Sequence, residues 1–316
     1  MIMDVTLLLA TYNGEKYIKE QLETIINQKN INLKLIISDD TSNDSTIEVI
    51  KKFFNESSFK NFTILKNPDN SKIINNDEIA SVASYNFRNL ILHADLNSDF
   101  YTFSDQDDIW DLNKIKHAID NISDNQSPAL YCSKTTYVDK NKDFLGFSKS
   151  VTQQPCFANA LVESIAGGNT MVFNKLAMII LKKSLANASP PAHDWWTYII
   201  ISGCGGKVYY DSKSYIKYRL HDDNLTGANL SFNSFFKRLR KAFAGNYKQW
   251  NNLNIRILKD NENLLTDSAK KTLDYFIHAK NSNFLKKYSY LTKSGAYRNN
   301  KIENILLYLA CMFGKM

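Results

Sequence analysis

Three aspartates, Asp105, Asp107 and Asp108, crowd one short segment directly after the aromatic, β-favouring run FYTF. Carboxylates packed together repel each other, and this repulsion raises their pKa values unless a cation lies nearby. Because no Cys or His stands beside them, their oxygen ligands favour a hard ion such as Mg²⁺ or Mn²⁺. Mg²⁺ in proteins is usually held by one or two carboxylates together with substrate phosphates. The segment therefore predicts a metal site for a phosphorylated substrate.

A second acidic pair, Asp39 and Asp40, follows the apolar run LKLIIS. Ligands of open α/β sheets bind outside the carboxyl ends of the strands, so we expect both acidic segments to face one crevice. The segment DDTSNDST could instead form only a turn and a helix N-cap, because its side chains can satisfy the free amides of a first helical turn. Neither GxxxxGK[ST] nor a GxGxxG after a strand occurs, so we expect the metal to meet the phosphate charge.

Short apolar runs alternate with helix-period segments through the first two thirds of the chain, which is typical of an α/β fold. Strands are predicted at residues 5–10, 33–38, 62–65, 99–104, 130–138, 170–173 and 207–210. Helices are predicted after each of the first two strands and at residues 79–93 and 175–185. Beyond Gly227 the sequence changes to helices rich in Lys, Asn and aromatic residues. We therefore predict a catalytic domain at residues 1–227 and a basic helical region at residues 228–316.

The composition is that of a globular protein, with 316 residues and 44% hydrophobic content. The four cysteines are scattered without a CxxC pair, which indicates neither a zinc site nor a disulfide framework. No signal peptide and no apolar run of about 18 residues is visible. These features together predict a cytoplasmic protein.

The positive charge is concentrated near the carboxyl terminus. Residues 1–225 carry 23 Lys and Arg against 27 Asp and Glu, whereas residues 226–316 carry 16 against 5. Lys237, Arg238, Arg240 and Lys241 lie among phenylalanines, and this pattern predicts attachment to an anionic membrane surface. A helical appendage with a solvated charged face remains the alternative. Nucleic acid is not expected as a partner, because no recognised binding module accompanies the charge.

Six segments, taken together, resemble a known family. They are LLLATYNGEKYIKEQLETIINQ, LIISDDTSNDST, FYTFSDQDDIW, GGNTMVFN, HDWW and YRLHDDNLTG. In this order and spacing they resemble a family-2 inverting glycosyltransferase of the GT-A fold, over about residues 4–227. HDWW, YRLHDDNLTG and SDQDDIW are most similar to the bacterial rhamnosyltransferase-like branch that builds surface polysaccharides. The resemblance implies a Rossmann-like mixed sheet flanked by helices, with a C-terminal helical appendage.

The resemblance implies roles for the residues that would bind the nucleotide. Thr11 and Tyr12 would line the nucleobase pocket, and Asp40 would hydrogen-bond the base, with Asp39 as its neighbour. Asp105 and Asp107 stand at the outer positions of the DxD motif. Asp105 would face the ribose, whereas Asp107 would hold the metal that bridges the two phosphates, leaving Asp108 outside the metal's ligands.

The resemblance also implies a catalytic base at Asp194, since an acceptor hydroxyl needs a carboxylate to take its proton. The family normally has Glu before this Asp, but this sequence has His193. Arg219 and His221 would lie on the loop that closes over the diphosphate, in place of the QxxRW pattern of processive members. The absence of QxxRW argues against a polymerising synthase. His221 could hold the metal or a phosphate, or be an ordinary loop histidine.

The surroundings of the predicted base allow two interpretations. Trp195 and Trp196 could provide an apolar wall and a stacking platform for a sugar, or could lie in the core while Asp194 caps its helix. Gly168 and Asn169 could let the backbone approach the donor or acceptor sugar, or could form an ordinary turn.

The function predicted from these features is metal-dependent transfer of a sugar from a nucleotide donor to a glycan acceptor. The resemblance favours dTDP-L-rhamnose as donor, with UDP-hexoses such as UDP-galactose or UDP-glucose as alternatives. The acceptor would belong to O-antigen or capsule synthesis, where polyprenyl diphosphate is a common carrier. A sugar-nucleotide pyrophosphorylase would need a glycine-rich, basic N-terminal loop, which ATYNGEKY lacks. A non-catalytic nucleotide-binding or membrane-binding module is the remaining alternative, and no oligomeric state is predicted.

Overall fold

The computed structural model describes residues 2–65, 81–123, 126–220 and 246–316. Within these ranges the strands are β1 (Met3–Thr11), β2 (Ile31–Asp39), β3 (Phe62–Leu65), β4 (Phe100–Ser104), β5 (Ile109–Trp110), β6 (Ala129–Val138), β7 (Phe144–Phe147), β8 (Val172–Asn174) and β9 (Lys207–Arg219). The helices before residue 220 are α1 (Ile18–Ile26), α2 (Thr46–Glu56), α3 (Val82–His93), α4 (Lys114–Ile122), α5 (Phe157–Ala160), α6 (Lys175–Leu185) and α7 (His193–Gly203). The C-terminal helices are α8 (Asn246–Asp260), α9 (Asp267–Asn281), α10 (Phe284–Ser294) and α11 (Lys301–Met312).

The strands form one mixed sheet in the order β3-β2-β1-β4-β8-β6-β9-β5, and β7 pairs with β6. Strands β3, β2, β1 and β4 are parallel, β8 is antiparallel to both β4 and β6, and β9 is parallel to β6. The carboxyl ends of β1, β2, β4, β6 and β9 therefore meet at one edge of the sheet, where β8 begins. This edge, called the site edge below, collects Thr11, Asp39, Ser104 and Arg219.

The hydrophobic core lies on both faces of the sheet, as expected for its parallel part. Leu8 faces one buried cluster, whereas its neighbours Leu7 and Leu9 face the other, because side chains alternate along a strand. Each such side chain stabilises the fold by about 1.5–3 kcal/mol when fully buried. Helix α1 packs its predicted apolar face, which includes Ile18 and Leu22, against the second cluster. The rigid sheet thus fixes the position of the site edge.

The C-terminal helices share the first cluster with the rest of the protein. Leu253 and Ile257 of α8 belong to the same core as Trp196. The hydroxyl of Tyr247 donates to the carbonyl of Val162 at 3.1 Å. These helices therefore pack directly on the domain that carries the sheet.

The α/β fold class and most predicted strands are confirmed, with two local differences. The segment predicted as a strand at residues 170–173 begins instead as a 3₁₀ turn, Gly168–Thr170, followed by β8. Strand β9 runs far beyond its predicted end and reaches Arg219. The predicted domain boundary after residue 227, His221 and the basic segment 237–241 lie outside the described residues. Within the described ranges, every helix is too short or too polar to cross a membrane.

Candidate functional site

The first two loops of the site edge are joined by hydrogen bonds. The Thr11 hydroxyl donates to the Asp39 carboxylate at 2.9 Å, and the Asp40 amide donates to the Thr11 carbonyl at 2.8 Å. Asp39 also accepts from the amide and hydroxyl of Ser42 at 2.9 and 2.6 Å. Asp40 is buried, whereas Tyr12 is half exposed beside it. The sheet therefore brings the four residues predicted for the nucleobase together.

The N-cap of helix α2 is Ser45, whose side chain makes no capping bond, and the residue before it, Asp44, contacts the first turn. The carboxylate of Asp44 accepts from the Thr46 amide at 3.0 Å, in the first turn of α2. The turn and helix start that formed the alternative interpretation are therefore present. Asp44 accepts from one amide of this turn, whereas Asp39 braces its own loop through Thr11 and Ser42.

Gln106, the middle residue of the predicted DxD motif, connects the loop after β4, called the aspartate loop below, to the loop after β1. Its amide oxygen accepts from the Tyr12 amide at 2.8 Å, and its amide nitrogen donates to the Tyr12 carbonyl at 2.8 Å. Gly14 leaves room for this contact, because a Cβ at Gly14 would lie 2.2 Å from Gln106 Oε1. The sequence interpretation missed this residue. These two hydrogen bonds between Gln106 and Tyr12, called the Gln106 clamp below, join the aspartate loop to the predicted nucleobase loop.

Two aspartates of the loop after β4, Asp105 and Asp108, have raised pKa values. Burial, together with the charges of Asp107 and Asp194, raises the pKa of Asp105 to about 7. Burial and the charges of its two neighbours also raise the pKa of Asp108 well above its usual value. Repulsion between neighbouring carboxylates, which the sequence predicted, therefore contributes to both raised pKa values. A nearby divalent cation would lower these pKa values again.

Asp108 is buried, and its carboxylate is hydrogen-bonded to the side chain of Asn169. One carboxylate oxygen of Asp108 accepts from the Asn169 side-chain amide at 2.8 Å, and both side chains are buried. Lys114 is buried nearby, and burial lowers its pKa to about 7 against the opposing charge of Asp108. The Asn169 side chain therefore holds the aspartate loop, and the predicted approach of the backbone at Gly168 and Asn169 to a sugar stays a prediction.

Asp194 lies in the first turn of α7, close enough to Asp105 for their charges to interact. Burial raises the pKa of Asp194 to about 6, and hydrogen bonds from the backbone amides of Trp195 and Gly168 partly offset the rise. The Trp195 amide donates to Asp194 Oδ1 at 2.6 Å. The N-cap of α7 is Ala192, so Asp194 does not cap the helix but accepts from an amide of its first turn. Its role as catalytic base stays a prediction. Gly168 begins the 3₁₀ turn Gly168–Thr170, and its backbone amide donates to the Asp194 carboxylate.

His193 fixes the start of the same helix. Its ring stacks on Phe87 with centroids 3.7 Å apart and meets the edge of Phe103 at 5.1 Å. Burial lowers the pKa of His193 to about 3, so the ring is neutral at neutral pH. A larger residue at position 168 would clash with His193, because a Cβ there would lie 2.3 Å from His193 Nε2. His193 therefore orients α7 by packing, where the related family has an acid.

The two tryptophans after Asp194 lie in the core, which corrects the expectation that they stack on a sugar. Trp196 is fully buried and Trp195 is 6% exposed. The indole of Trp195 donates to the Ala160 carbonyl at 2.7 Å, and that of Trp196 donates to the Ser184 hydroxyl at 3.1 Å. Trp195 also lies against Tyr247 and Trp250 of α8. They hold α7, which carries Asp194, in place, and their burial leaves no face for a sugar.

Arg219 reaches the aspartate loop from the end of β9. Its Nε donates to the Asp107 carbonyl at 3.3 Å, and its Nη2 pairs with Glu20 Oε2 at 2.6 Å. The guanidinium lies over the ring of Tyr17 and is 2% exposed. Glu20, on α1, was not identified from the sequence, and it also pairs with Lys142 at 2.5 Å. Arg219 therefore ends strand β9 beside the aspartate loop, rather than lying within the predicted loop, and it shares its charge with Glu20.

The carboxylates at the site edge suit a hard cation that arrives with its substrate. Among the residues that the structure describes, no group of three or more His, Cys, Asp or Glu is arranged to enclose a metal ion. Asp105 and Asp107 nevertheless offer oxygen ligands from one loop, and burial, followed by the charges of Asp107 and Asp194, raises the pKa of Asp105. Phosphate oxygens would have to supply the remaining ligands. The donor set thus fits Mg²⁺ or Mn²⁺ bound together with a diphosphate.

Comparison with known proteins identifies the family. The family model for glycosyl transferase family 2 matches residues 6–184. The dTDP-rhamnosyl transferase RfbG of Shigella flexneri is 35% identical over 238 residues, which cover 73% of this chain and 78% of that protein. An uncharacterized glycosyltransferase of Rickettsia typhi is 24% identical over 257 residues, which cover 75% of this chain and 73% of that protein.

The fold is also shared with a solved structure. The crystal structure of S. aureus TarS 1-349 in complex with UDP-GlcNAc superposes with a TM-score of 0.52 and 16% identity, covering 95% of this chain and 97% of that one. At this identity the likeness concerns the fold alone. With its mixed sheet, the acidic residues at the site edge and the match over residues 6–184, the chain belongs to glycosyltransferase family 2 and has the GT-A fold.

Proposed function

We propose that the chain transfers L-rhamnose from dTDP-L-rhamnose to a glycan acceptor, with inversion, during synthesis of a bacterial surface polysaccharide such as O-antigen or capsule. The observation that carries the proposal is the meeting of Asp194 with Asp105 at one sheet edge, where their carboxyl pKa values rise to about 6 and about 7. The identity with the relative from Shigella flexneri supports the choice of donor.

The donor nucleotide would lie across the loops after β1, β2 and β4. Thr11, Tyr12 and Asp40 would contact the base, with Asp39 bracing their loop through its bonds to Ser42. Asp105 would face the ribose. The Gln106 clamp would keep the base-binding loop and the phosphate-binding loop at a fixed separation.

Asp107 would hold the divalent cation, which supplies positive charge to the leaving diphosphate when it is bound. Arg219 would add a second cation beside the same loop, since its Nε already contacts the Asp107 carbonyl. Charge that develops on a leaving group is stabilised best by groups fixed in advance. The pairing of Arg219 with Glu20 fixes the guanidinium in this way.

Asp194 would accept the proton of the acceptor hydroxyl as the oxygen attacks the anomeric carbon. A pKa of about 6 leaves the carboxylate ionised at neutral pH and makes it a stronger base than an ordinary aspartate. The bond to the diphosphate oxygen breaks on the opposite face of the sugar, so a single displacement inverts the anomeric centre. The backbone bonds from Trp195 and Gly168 would keep the carboxylate aimed at this face.

The acceptor would be a growing glycan, and we propose that polyprenyl diphosphate carries it in the cell membrane. The enzyme would then act from the cytoplasm as a peripheral protein on the inner face of that membrane. The net charge of +11 over residues 226–316 supports attachment to an anionic surface.

A thermal-shift panel tests the donor, because a ligand that prefers the native state raises the melting temperature. The panel compares dTDP-L-rhamnose, UDP-glucose and UDP-galactose, each with Mn²⁺ or with EDTA. We expect the largest rise with dTDP-L-rhamnose and Mn²⁺. A larger rise with a UDP-hexose would assign that donor, and no rise with any donor would contradict the proposed function.

Transfer itself is tested with labelled donor and with isolated bacterial membranes as the source of acceptor. We expect label in the lipid extract with the wild type and not with Asp194→Asn, although both should bind the donor. Donor binding without any transfer by the wild type would favour a non-catalytic nucleotide-binding module.

A further inference from the structure

Helix α11 carries an apolar stripe on its outer face. Ile302, Ile305, Leu309 and Phe313 are 60%, 63%, 45% and 69% exposed. They follow one another at intervals of three or four residues, which places them on one side of a helix. The opposite side is already used, since Leu307 and Cys311 are buried in the core. The exposed stripe therefore has no packing role within the described protein.

Helix α10 extends this stripe into a patch. Phe284, Leu285 and Tyr288 are 58%, 84% and 59% exposed. The Tyr288 ring lies 5.5 Å from that of Tyr308, which is one turn from Ile305 on α11. The exposed side chains of the two helices thus form one surface, called the α10–α11 face below. Exposed apolar surfaces of this kind usually mark interaction sites.

The charges around the α10–α11 face restrict what can cover it. Residues 282–316 contain six basic residues, Lys286, Lys287, Lys293, Arg298, Lys301 and Lys315, and one acidic residue, Glu303. Glu303 is paired with Lys149 and with Arg298. A second copy of this chain would bring the same positive charge to the contact and be repelled, whereas an anionic lipid surface would be attracted.

The α10–α11 face connects structurally to the site edge. Glu303 pairs with Lys149, two residues after β7. Strand β7 itself exposes Phe144, Leu145 and Phe147 and pairs with the end of β6. The turn between β6 and β7 contacts the site edge, because the Lys140 carbonyl accepts from Arg219 at 3.3 Å. These contacts join α11, through Glu303, Lys149 and β7, to the turn beside Arg219.

We propose that the α10–α11 face docks the protein on an anionic phospholipid bilayer, with the apolar side chains entering the interface and the lysines contacting the headgroups. The inference deepens the membrane location given under the proposed function, and it does not depend on which sugar is transferred.

Sedimentation with vesicles tests the docking. Vesicles of phosphatidylglycerol and phosphatidylcholine are compared with vesicles of phosphatidylcholine alone, at low and high salt, with the full-length protein. We expect binding to the anionic vesicles, weakened by salt, and at least about tenfold weaker binding for Ile305→Ser with Leu309→Ser. Leu176→Ser, at a residue 41% exposed on α6, is the matched control and should bind like the wild type.

Folding of each variant is checked by its melting temperature and by its thermal shift with dTDP-L-rhamnose and Mn²⁺. If the wild type binds vesicles but does not bind the donor, the proposed function is contradicted and the docking stands. The docking would be overturned if the wild type did not bind anionic vesicles, or if Ile305→Ser with Leu309→Ser bound them as tightly as the wild type. So would sedimentation velocity showing a dimer that Ile305→Ser with Leu309→Ser dissociates, because the face would then join two copies.

Discussion

Gly14→Ala should impair the protein only through Gln106, 92 positions away in the sequence. The new Cβ would lie 2.2 Å from Gln106 Oε1 and 2.5 Å from its Cδ, so the side chain has to move. Gln106 then loses both hydrogen bonds to Tyr12. Ala itself should tolerate the backbone at position 14, because Gly14 is not among the glycines with positive φ.

The size of the effect follows from these two bonds. A hydrogen bond contributes about 0.5–1.5 kcal/mol net, so the clamp contributes roughly 1–3 kcal/mol. Releasing it frees the loop that carries Asp105 and Asp107, and donor binding then has to reorder that loop. We expect the Kd for dTDP-L-rhamnose with Mn²⁺ to rise by roughly 5- to 150-fold.

A double-mutant cycle measured by calorimetry tests this reasoning, with Gln106→Ala as the partner variant. Gln106→Ala removes the same two bonds without a clash, so it should match Gly14→Ala, and the double variant should be no worse than either single one. Additive losses would show that Gly14 acts on something other than Gln106. Unchanged affinity in Gln106→Ala would show that the clamp does not order the site.

Three further predictions follow from the site. Asp194→Asn should keep donor affinity and lose at least the 10²- to 10⁴-fold typical of a general base in single-turnover transfer, and near-normal turnover would assign the base elsewhere. The transfer rate of the wild type should increase as the pH rises through about 6, because only the ionised carboxylate of Asp194 accepts a proton, and a flat profile between pH 5 and 8 would count against this assignment. Trp196→Phe should lower the melting temperature, because it removes the indole bond to Ser184 and leaves a cavity, while the KM for acceptor stays unchanged; a raised KM with unchanged stability would restore the sugar-stacking role.

The sequence predicted the parallel part of the sheet well, because these strands are buried on both faces and read as continuous apolar runs such as LLLA. The position of Asp39 and Asp105 at one edge followed from that topology. The core position of Trp196 was also within reach of the sequence. Helix α7 is apolar on all sides, and such a helix is normally buried.

Contacts between distant segments could not be predicted in the same way. Gln106 and Tyr12 are joined across 94 positions, and Arg219 and Glu20 across 199. Their local sequences give no signal of pairing, because a glutamine in an acidic loop and a glutamate in a first helical turn are both ordinary surface residues. The position of Arg219 beside the aspartate loop also could not be predicted, because β9 extends to this residue. The polar second half of β9 does not show the alternation of a half-buried strand. Only the assembled sheet brings these side chains together.

The proposed function depends most on a divalent ion that would join the aspartate loop to the donor diphosphate. Anomalous X-ray diffraction from crystals grown with Mn²⁺ and dTDP-L-rhamnose measures this directly. We expect one manganese peak in contact with the Asp107 carboxylate and the diphosphate, with the sugar facing Asp194. Manganese absent from Asp107, or a diphosphate bound away from the site edge, would contradict it.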